Sequence, residues 1–327
     1  MEGRKLKIYD VIIIGGGPAG LTAGLYTSRA RLRTLLIEKG LFGGQITTTE
    51  LIENYPGFPN GITGAELSQL MEDHAKRFGL EMVSQDVLDV RLEGEQKVIR
   101  TYESEYDAKV LIVSSGTEYK KLGIPGEEEL IGRGVSFCAT CDAAFFQDNR
   151  IVVVGGGDSA LTEALFLTKF AKEVTIIHRR DALRATKIYQ ERAFENPKIK
   201  FLWNSVIQEI KGDHTVQSIL VKDVKTGVMK EFETEGVFLF VGIEPRTVFL
   251  KGLVQMDEAG YILANENCET SVKGIFAAGD CRKKLLRQIT TAVGDGATAA
   301  FAAEKYLEAK EENLSIKFKV ESGKSKV

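Results

Sequence analysis

The sequence predicts an α/β protein made of two parallel-sheet units, and two observations carry that reading. The apolar, strand-type run Val11-Ile12-Ile13-Ile14 leads into Gly15-Gly16-Gly17-Pro18-Ala19-Gly20 and then into a segment of helical character. Gly155 stands 140 positions beyond Gly15, and there the pattern repeats: Ile151-Val152-Val153-Val154, then Gly155-Gly156-Gly157-Asp158-Ser159-Ala160, then a second helical segment. A glycine turn between a strand and a helix is the setting of a dinucleotide-binding Rossmann unit. A third observation concerns chemistry: Cys138-Ala139-Thr140-Cys141-Asp142 stands just ahead of the second fingerprint. Two dinucleotide sites in one chain suggest two cofactors passing electrons, with Cys138 and Cys141 as the next stop.

The bulk numbers agree with such a protein. A chain of 327 residues has room for two domains of ordinary size. With 43% hydrophobic and 27% charged residues, the composition is that of a globular protein. A net charge of −3 gives no support to a nucleic-acid or membrane-surface partner. The polar segment to Asp10 runs straight into the first strand, so no signal peptide is expected. The apolar runs fall short of the roughly 20 residues that cross a bilayer, and a cytoplasmic protein is expected. In a reducing compartment a close-spaced cysteine pair is redox-active or metal-binding. A tetrahedral zinc site needs a second pair of ligands. Cys268 and Cys281 are 13 apart with no histidine between them, and His74, His178 and His214 are scattered, which favours redox use and no metal. Cys268 and Cys281 read as small buried apolar residues.

Taken in order, the first fingerprint opens a helix over Leu21–Ala30, followed by a strand over Thr34–Ile37 that ends in Glu38. Its glycines permit a tight turn, close approach of backbone to a pyrophosphate and close helix–strand packing, while the helix N-terminus faces the phosphates. Glu38 lies 18 positions beyond Gly20, near the ~20-residue offset at which a carboxylate meets the ribose hydroxyls. A dinucleotide is expected here, and the fingerprint alone does not say which. A further strand over Lys109–Thr117 runs into Gly123-Ile124-Pro125-Gly126, the first domain boundary.

The second unit spans 121–246. Its CxxC, at the start of a helix, favours thiolate. Asp142 is placed to give or take a proton when the dithiol forms; the alternative is a plain surface acid. The second strand of this unit, Val174–Ile177, ends in His178-Arg179-Arg180, with Arg184 one helical turn on. Guanidinium groups stand where a ribose-binding carboxylate would be. Because they fork onto phosphate oxygens, the cluster suits a 2′-phosphate. The alternative is a solvated helix start with Asp181 pairing one arginine. Ser271–Asp280 reads as a strand ending in a small-residue turn, and Gln288–Lys305 as an alanine-rich helix. Both belong with the first unit, which makes that domain 1–120 with 247–327. The expected fold class is therefore two Rossmann-like three-layer domains, the second inserted in the first. Lys317–Val327 reads as a frayed tail.

Gly15–Gly20 (GGGPAG), Gly43-Gly44-Gln45, Glu53–Gly57 (ENYPG), Cys138–Asp142 (CATCD), Gly155–Ala160 (GGGDSA), His178–Arg184 (HRRDALR), Gly279-Asp280 and Arg287-Gln288 follow one another in this order. Together they resemble the low-molecular-weight, class II thioredoxin reductases, flavoproteins of the pyridine nucleotide–disulfide oxidoreductase superfamily, over essentially the whole chain. The resemblance implies FAD in the first domain, with Gly15, Gly17 and Gly20 at the pyrophosphate and Glu38 at the adenosine ribose. It implies Gly44, Gln45 and Asn54 along the flavin half, Asp280 at the ribityl chain, and Arg287, Gln288 and Ile289 near the isoalloxazine. It implies NADPH on Gly155, Gly157, Asp158 and Ser159, with His178, Arg179, Arg180 and Arg184 around the 2′-phosphate.

On the same resemblance Cys138 and Cys141 are the redox disulfide, Asp142 is the acid–base group, and the protein is a homodimer that reduces thioredoxin or a thioredoxin-like protein with NADPH. The alternative is an NAD(P)H-dependent flavoprotein reductase of another disulfide carrier, glutaredoxin-like or peroxiredoxin-linked. Relatives of the glutathione reductase type carry CxxxxC in the FAD domain and a late catalytic histidine. Here no cysteine precedes Cys138 and no histidine follows His214. The chain departs from the family pattern at Ala143-Ala144, where a glycine often stands, at Cys281 after Asp280, and at Asp158-Ser159 in place of the Asn-Thr of some members.

Overall fold

The structure, a computed structural model, describes residues 8–49 and 51–324, with side chains to residue 312. Its contacts divide the chain into two units. One runs to Glu118 and resumes at Glu244, and the other is Tyr119–Ile243. The crossings lie two to three residues from where the sequence places the boundaries.

The first unit begins β1 (Ile8–Ile14), α1 (Pro18–Arg29), β2 (Thr34–Glu38), α2 (Gly64–Lys76) and β3 (Glu81–Ser84). It continues with β4 (Val87–Glu93), β5 (Gln96–Thr101) and β6 (Glu105–Val113), and leaves through β7 (Thr117–Tyr119). Strands β3, β2, β1 and β6 pair in parallel in that order. The first half of β6 then pairs antiparallel with β5, and β5 with β4, while its second half pairs in parallel with a late strand, Ile275–Ala277. Val11, Ile12 and Ile13 are wholly buried, as an apolar run covered on both faces requires. Each such side chain contributes on the order of 1.5–3 kcal/mol. Val11 and Ile13 pack with α1 and with the alanines of the last helix, Ala299, Ala300 and Ala303. Ile12 and Ile14 pack on the opposite side with Val90, Ile99, Leu250 and Ile275. The result is three layers: helices, parallel sheet, and an antiparallel ribbon with its neighbouring loops.

The second unit repeats the plan: β8 (Val135–Ser136), α3 (Ala139–Asp142), β9 (Arg150–Gly155), α4 (Asp158–Leu167), β10 (Glu173–Ile177), α5 (Lys187–Glu195) and β11 (Ile199–Leu202). There follow β12 (Ser205–Lys211), β13 (Ser218–Asp223), β14 (Met229–Glu233) and β15 (Gly236–Phe240). The parallel order is β11-β10-β9-β15-β8, and β12-β13-β14 form a separate antiparallel sheet. Val153, Ile176 and Phe238 face the helices. Val152, Val154 and Ile177 face the ribbon through Ile207, Ile219 and Val221.

The chain returns through β16 (Ile243–Pro245) and β17 (Ile275–Ala277) to α6 (Ile289–Lys324). The strand expected over Lys109–Thr117 sits four residues earlier, as β6. It stops at Val113 because Ser114 turns to bond β1, its N–H donating to Ile14 O at 2.7 Å and its hydroxyl to Gly15 O at 2.9 Å. The expected tail, Lys317–Val327, is carried in α6 as far as Lys324, and residues 325–327 lie outside the described residues.

Candidate functional site

The first glycine turn is shaped by contact. Gly15 has φ 106°, and a Cβ there would stand 2.2 Å from Ser114 O; a Cβ on Gly20 would stand 1.8 Å from Gly15 O. The helix therefore sits directly on the turn. A Cβ on Gly17 meets only Gly43 O at 3.9 Å, so this glycine faces open space. Gly17 caps α1 without a side-chain hydrogen bond, and no acidic residue occupies the first turn of the helix. Its leading N–H groups are left for a ligand, with the positive end of the helix behind them.

Glu38, at the end of β2, folds back onto the turn. Its Oε2 accepts from Gly16 N–H at 2.5 Å and its Oε1 from Gly40 N–H at 2.9 Å. It borders a cavity of about 330 Å³ that is also lined by Gly15, Ile37, Lys39, Val87 and Val248. Gly43 and Gly44 lap over the fingerprint, with Gly43 N–H donating to Gly16 O at 2.7 Å. Gln45 Nε2 donates to Thr117 Oγ1 at 3.2 Å. Asn54 Nδ2 donates to Gln288 Oε1 at 3.0 Å, and Ile289 opens α6 beside the Ile52–Ile62–Leu67 cluster.

Asp280 lies on a short 3-10 turn, Gly279–Cys281, packed against Ala19 at the start of α1. Its Oδ1 is buried without a hydrogen-bond partner, and burial pushes the carboxyl pKa up. Arg287 stacks its guanidinium 4.0 Å over the Tyr261 ring, and its Nε donates to Asp280 O at 3.4 Å. The open face at Gly17, the cavity at Glu38 and the orphaned oxygen of Asp280 together fit a dinucleotide with a polar chain. The sequence reasoning missed the group that holds this turn. Asp295, on α6, accepts from Gly279 N–H at 3.0 Å and Lys284 Nζ at 2.7 Å through Oδ2, and from Arg282 Nη1 at 3.3 Å through Oδ1. All three charged side chains are less than one-fifth exposed. The Gly294-Asp295-Gly296 interruption of an alanine-rich helix was the signal that could have found it.

In the second unit Gly155 and Gly157 form the matching turn, and a Cβ on Gly157 meets nothing within 4 Å. Ser159 is exposed on the first turn of α4. Asp158 is engaged elsewhere: its carboxylate accepts from Thr186, from the main-chain N–H and from the hydroxyl. His178 is only 5% exposed and lies under the turn, where a Cβ on Gly156 would stand 2.4 Å from its ring. Burial, then the neighbouring arginines, lowers its pKa, and the ring stands edge-on to Trp203. Arg179, Arg180 and Arg184 are all exposed. Asp181, a candidate partner for one of them, instead pairs with Lys225 at 3.0 Å. Among the described residues the three guanidinium groups make no ion pair.

Cys138 and Cys141 form a disulfide at the N-terminus of α3. Cys138 is half-buried and Cys141 exposed, and Cys141 N–H donates to Cys138 Sγ at 3.2 Å. Ser136 fixes the entry to the pair, its Oγ accepting from Cys138 N–H at 3.0 Å. Asp142 comes next, half-buried, and Phe145 beyond it is 80% exposed. Cys268 and Cys281 are buried free thiols whose pKa burial pushes up to about 11, which keeps them protonated and unreactive. Thus each unit carries its expected glycine turn and the second a disulfide, with His178 buried beneath its turn and Asp158 bonded to Thr186.

A family profile described as pyridine nucleotide-disulphide oxidoreductase matches residues 9–296. A thioredoxin reductase from Bacillus subtilis (strain 168) is 53% identical over 309 residues, covering 94% of this chain and 98% of that protein. Among solved structures, Lactococcus lactis thioredoxin reductase in its FR conformation gives a TM-score of 0.90 at 50% identity, covering 92% of this chain and 99% of the other. The thioredoxin reductase of T. acidophilum gives 0.87 at 36% identity, with the same coverage.

Proposed function

The chain belongs to the pyridine nucleotide-disulphide oxidoreductases, among the thioredoxin reductases, and from that premise we propose that it uses NADPH and FAD to reduce a thioredoxin disulfide through Cys138 and Cys141. The family implies a flavin and a nicotinamide nucleotide. The finer assignment to NADPH is supported by the three exposed guanidinium groups after β10, none of them ion-paired among the described residues. The assignment of FAD to the first unit is supported by Glu38 in the cavity at its glycine turn and by the unpartnered Oδ1 of Asp280. The observation that carries the whole reading is the disulfide at Cys138–Cys141.

When bound, the two cofactors supply a hydride and convert it into an electron pair for a disulfide. The protein's own residues do the rest. In the reduced pair, one thiolate attacks a sulfur of the partner's disulfide, breaking that bond and releasing a partner thiolate. The second thiolate then attacks the mixed disulfide, restoring the Cys138–Cys141 bond and releasing the other partner thiolate. Across the cycle one NADPH and one proton are consumed, and the partner gains two electrons and two protons. Asp142, next to Cys141, is the group that hands on the proton. Exposed Phe145 offers the partner an apolar contact beside the pair.

The same reading makes the protein a cytoplasmic homodimer. Among the described residues no helix is long and apolar enough to cross a membrane. The test is NADPH oxidation with oxidised thioredoxin, with a glutaredoxin-like disulfide, and with a disulfide dye alone. Saturable turnover with thioredoxin, well above the other two, is expected. Turnover that ignores thioredoxin would overturn the assignment.

A further inference from the structure

We propose that Asp158 is a positioning residue that sets the preference for a 2′-phosphorylated nucleotide by holding Arg184 in place; this rests on the NADPH reading of the second unit. Asp158 poses a problem on its face. A carboxylate at the first position of α4 stands where a pyrophosphate approaches, and like charges there repel. The structure gives that carboxylate a structural partner of its own. Its Oδ1 accepts from Thr186 N–H at 2.5 Å and its Oδ2 from Thr186 Oγ1 at 3.0 Å. Beside it, Gly156 O accepts from Arg184 N–H at 2.7 Å and from Ala185 N–H at 3.2 Å. Four hydrogen bonds thus pin residues 184–186 onto the turn Gly156–Asp158, and Ala185 is buried between them.

Arg179 and Arg180 are held differently. They leave the end of β10, whose neighbour strand keeps the register: His178 N–H donates to Leu202 O and Asn204 N–H to Arg180 O. Of the three, Arg184 is the one that hangs on the Asp158–Thr186 clamp. A guanidinium recognises phosphate by a fixed fork, so loosening the main chain under it costs affinity for the phosphate and little for the rest of the nucleotide. The bonds to Gly156 O hold the main chain of Arg184 and Ala185, and the Asp158–Thr186 clamp closes the far end of the same segment.

The experiment is calorimetric binding of 2′,5′-ADP and 5′-AMP to the flavin-loaded protein, with KM for NADPH and NADH measured alongside. In Asp158→Ala, affinity for 2′,5′-ADP is expected to fall about tenfold while that for 5′-AMP changes less than about twofold. KM for NADPH should rise in step, and the NADPH-to-NADH selectivity should fall. Adding Arg184→Ala should cost little more, whereas adding Arg179→Ala should add its full effect, the signature of a shared pathway against an independent site. Asp158→Asn keeps an acceptor for Thr186 N–H and should retain most of the selectivity; Thr186→Val, which spares the charge, should lose part of it. A rise in 2′,5′-ADP affinity in Asp158→Ala would mean that the carboxylate acts only by repulsion and overturns the proposal, as would equal losses for both ligands. Wild-type protein that binds the two ligands equally would remove the NADPH reading itself, and the proposal with it.

Discussion

The two glycine turns share one backbone plan and differ in the residues at the end of the second strand of each unit. β2 ends in Glu38, which is bonded to Gly16 and Gly40 N–H groups at the edge of the cavity. After β10 comes His178, buried and neutral beneath Gly156, and only then the exposed charges of Arg179 and Arg180. A carboxylate accepts from ribose hydroxyls and repels a phosphate; a guanidinium does the reverse. On the proposed reading the shared plan holds a dinucleotide, and the residues at the end of the second strand distinguish the two sites. The second difference is that only the second unit carries a reactive pair of sulfurs, whereas the first buries its cysteines among apolar neighbours and a charge cluster.

The largest expected effect breaks that second difference. Replacing Cys138 or Cys141 by serine should abolish reduction of thioredoxin, because a reducible pair needs both sulfurs. Reduction of the flavin by NADPH should survive, since it precedes the pair. Rapid-mixing measurements of flavin bleaching, beside steady-state turnover, separate the two steps, and wild-type turnover by Cys141→Ser would refute the assignment. Next comes the charge cluster under Asp280. Asp295→Ala strands Lys284 and Arg282 in a buried site, and breaking a buried ion pair costs about 3–5 kcal/mol. Denaturant unfolding followed by flavin release should show that loss in the first unit; Asp295→Asn should lose less. An unchanged midpoint in the alanine variant would show the cluster to be incidental. Smaller again is Arg179→Ala, expected to lower kcat/KM for NADPH about tenfold with NADH little changed, since one charge-assisted hydrogen bond is worth roughly 1.5–3 kcal/mol. A wild-type ratio of NADPH to NADH efficiency near one would contradict the reading of the arginine cluster.

Much of this is legible in the sequence because the signals are local. The glycines of a fingerprint answer to sterics among near neighbours in the chain and one strand beside them, as at Gly20 against Gly15 O. Strands β1 and β9 are legible because burial on both faces leaves an unbroken apolar run. The antiparallel ribbons are not. Val87–Glu93 and Ser205–Lys211 mix buried and exposed positions, so neither makes an unbroken apolar run, and their pairing shows only in the fold. The family resemblance implies Asp158 as a cofactor contact; the direction of its carboxylate depends on Thr186, which spacing does not reveal. Asp295 leaves only an indirect signal, the glycines on either side of it, because its role depends on α6 coming back alongside Gly279. His178 belongs by pattern to the arginine cluster, yet the strand's alternation carries its ring inward.

The smallest expected effect sharpens the comparison at the level of buried bases, one in each unit. In the first unit Lys97, on β5, is 2% exposed, with its ammonium towards Tyr306 of α6. Its Nζ donates to Glu95 O at 3.0 Å and Lys109 O at 2.9 Å and lies 5.7 Å from the centre of the Tyr306 ring. Burial, reinforced by Lys310 and opposed by Glu95, lowers its pKa from 10.5 to about 8. The unfolded chain then holds this proton more tightly than the folded one. As pH rises from about 8 towards 10.5, the folded Lys97 is already neutral while the unfolded one is still charged, so this group adds stability with rising pH, at up to about 1 kcal/mol per unit. Below pH 8 both states are charged, and the full cost of burying the ammonium is present. His178 in the second unit acts in a different window. Its pKa is lowered from 6.5, so acidification below that value protonates the unfolded state first and takes stability away. Lys97→Met should flatten the alkaline rise and leave the acid limb as it was; the absolute stability at neutral pH can move either way, because two carbonyls lose a donor while a buried charge is removed. Denaturant midpoints at a series of pH values, in wild type and variant, decide it. An alkaline slope that survives in Lys97→Met would assign the rise to some other group and leave Lys97 an ordinary surface-like lysine in its titration.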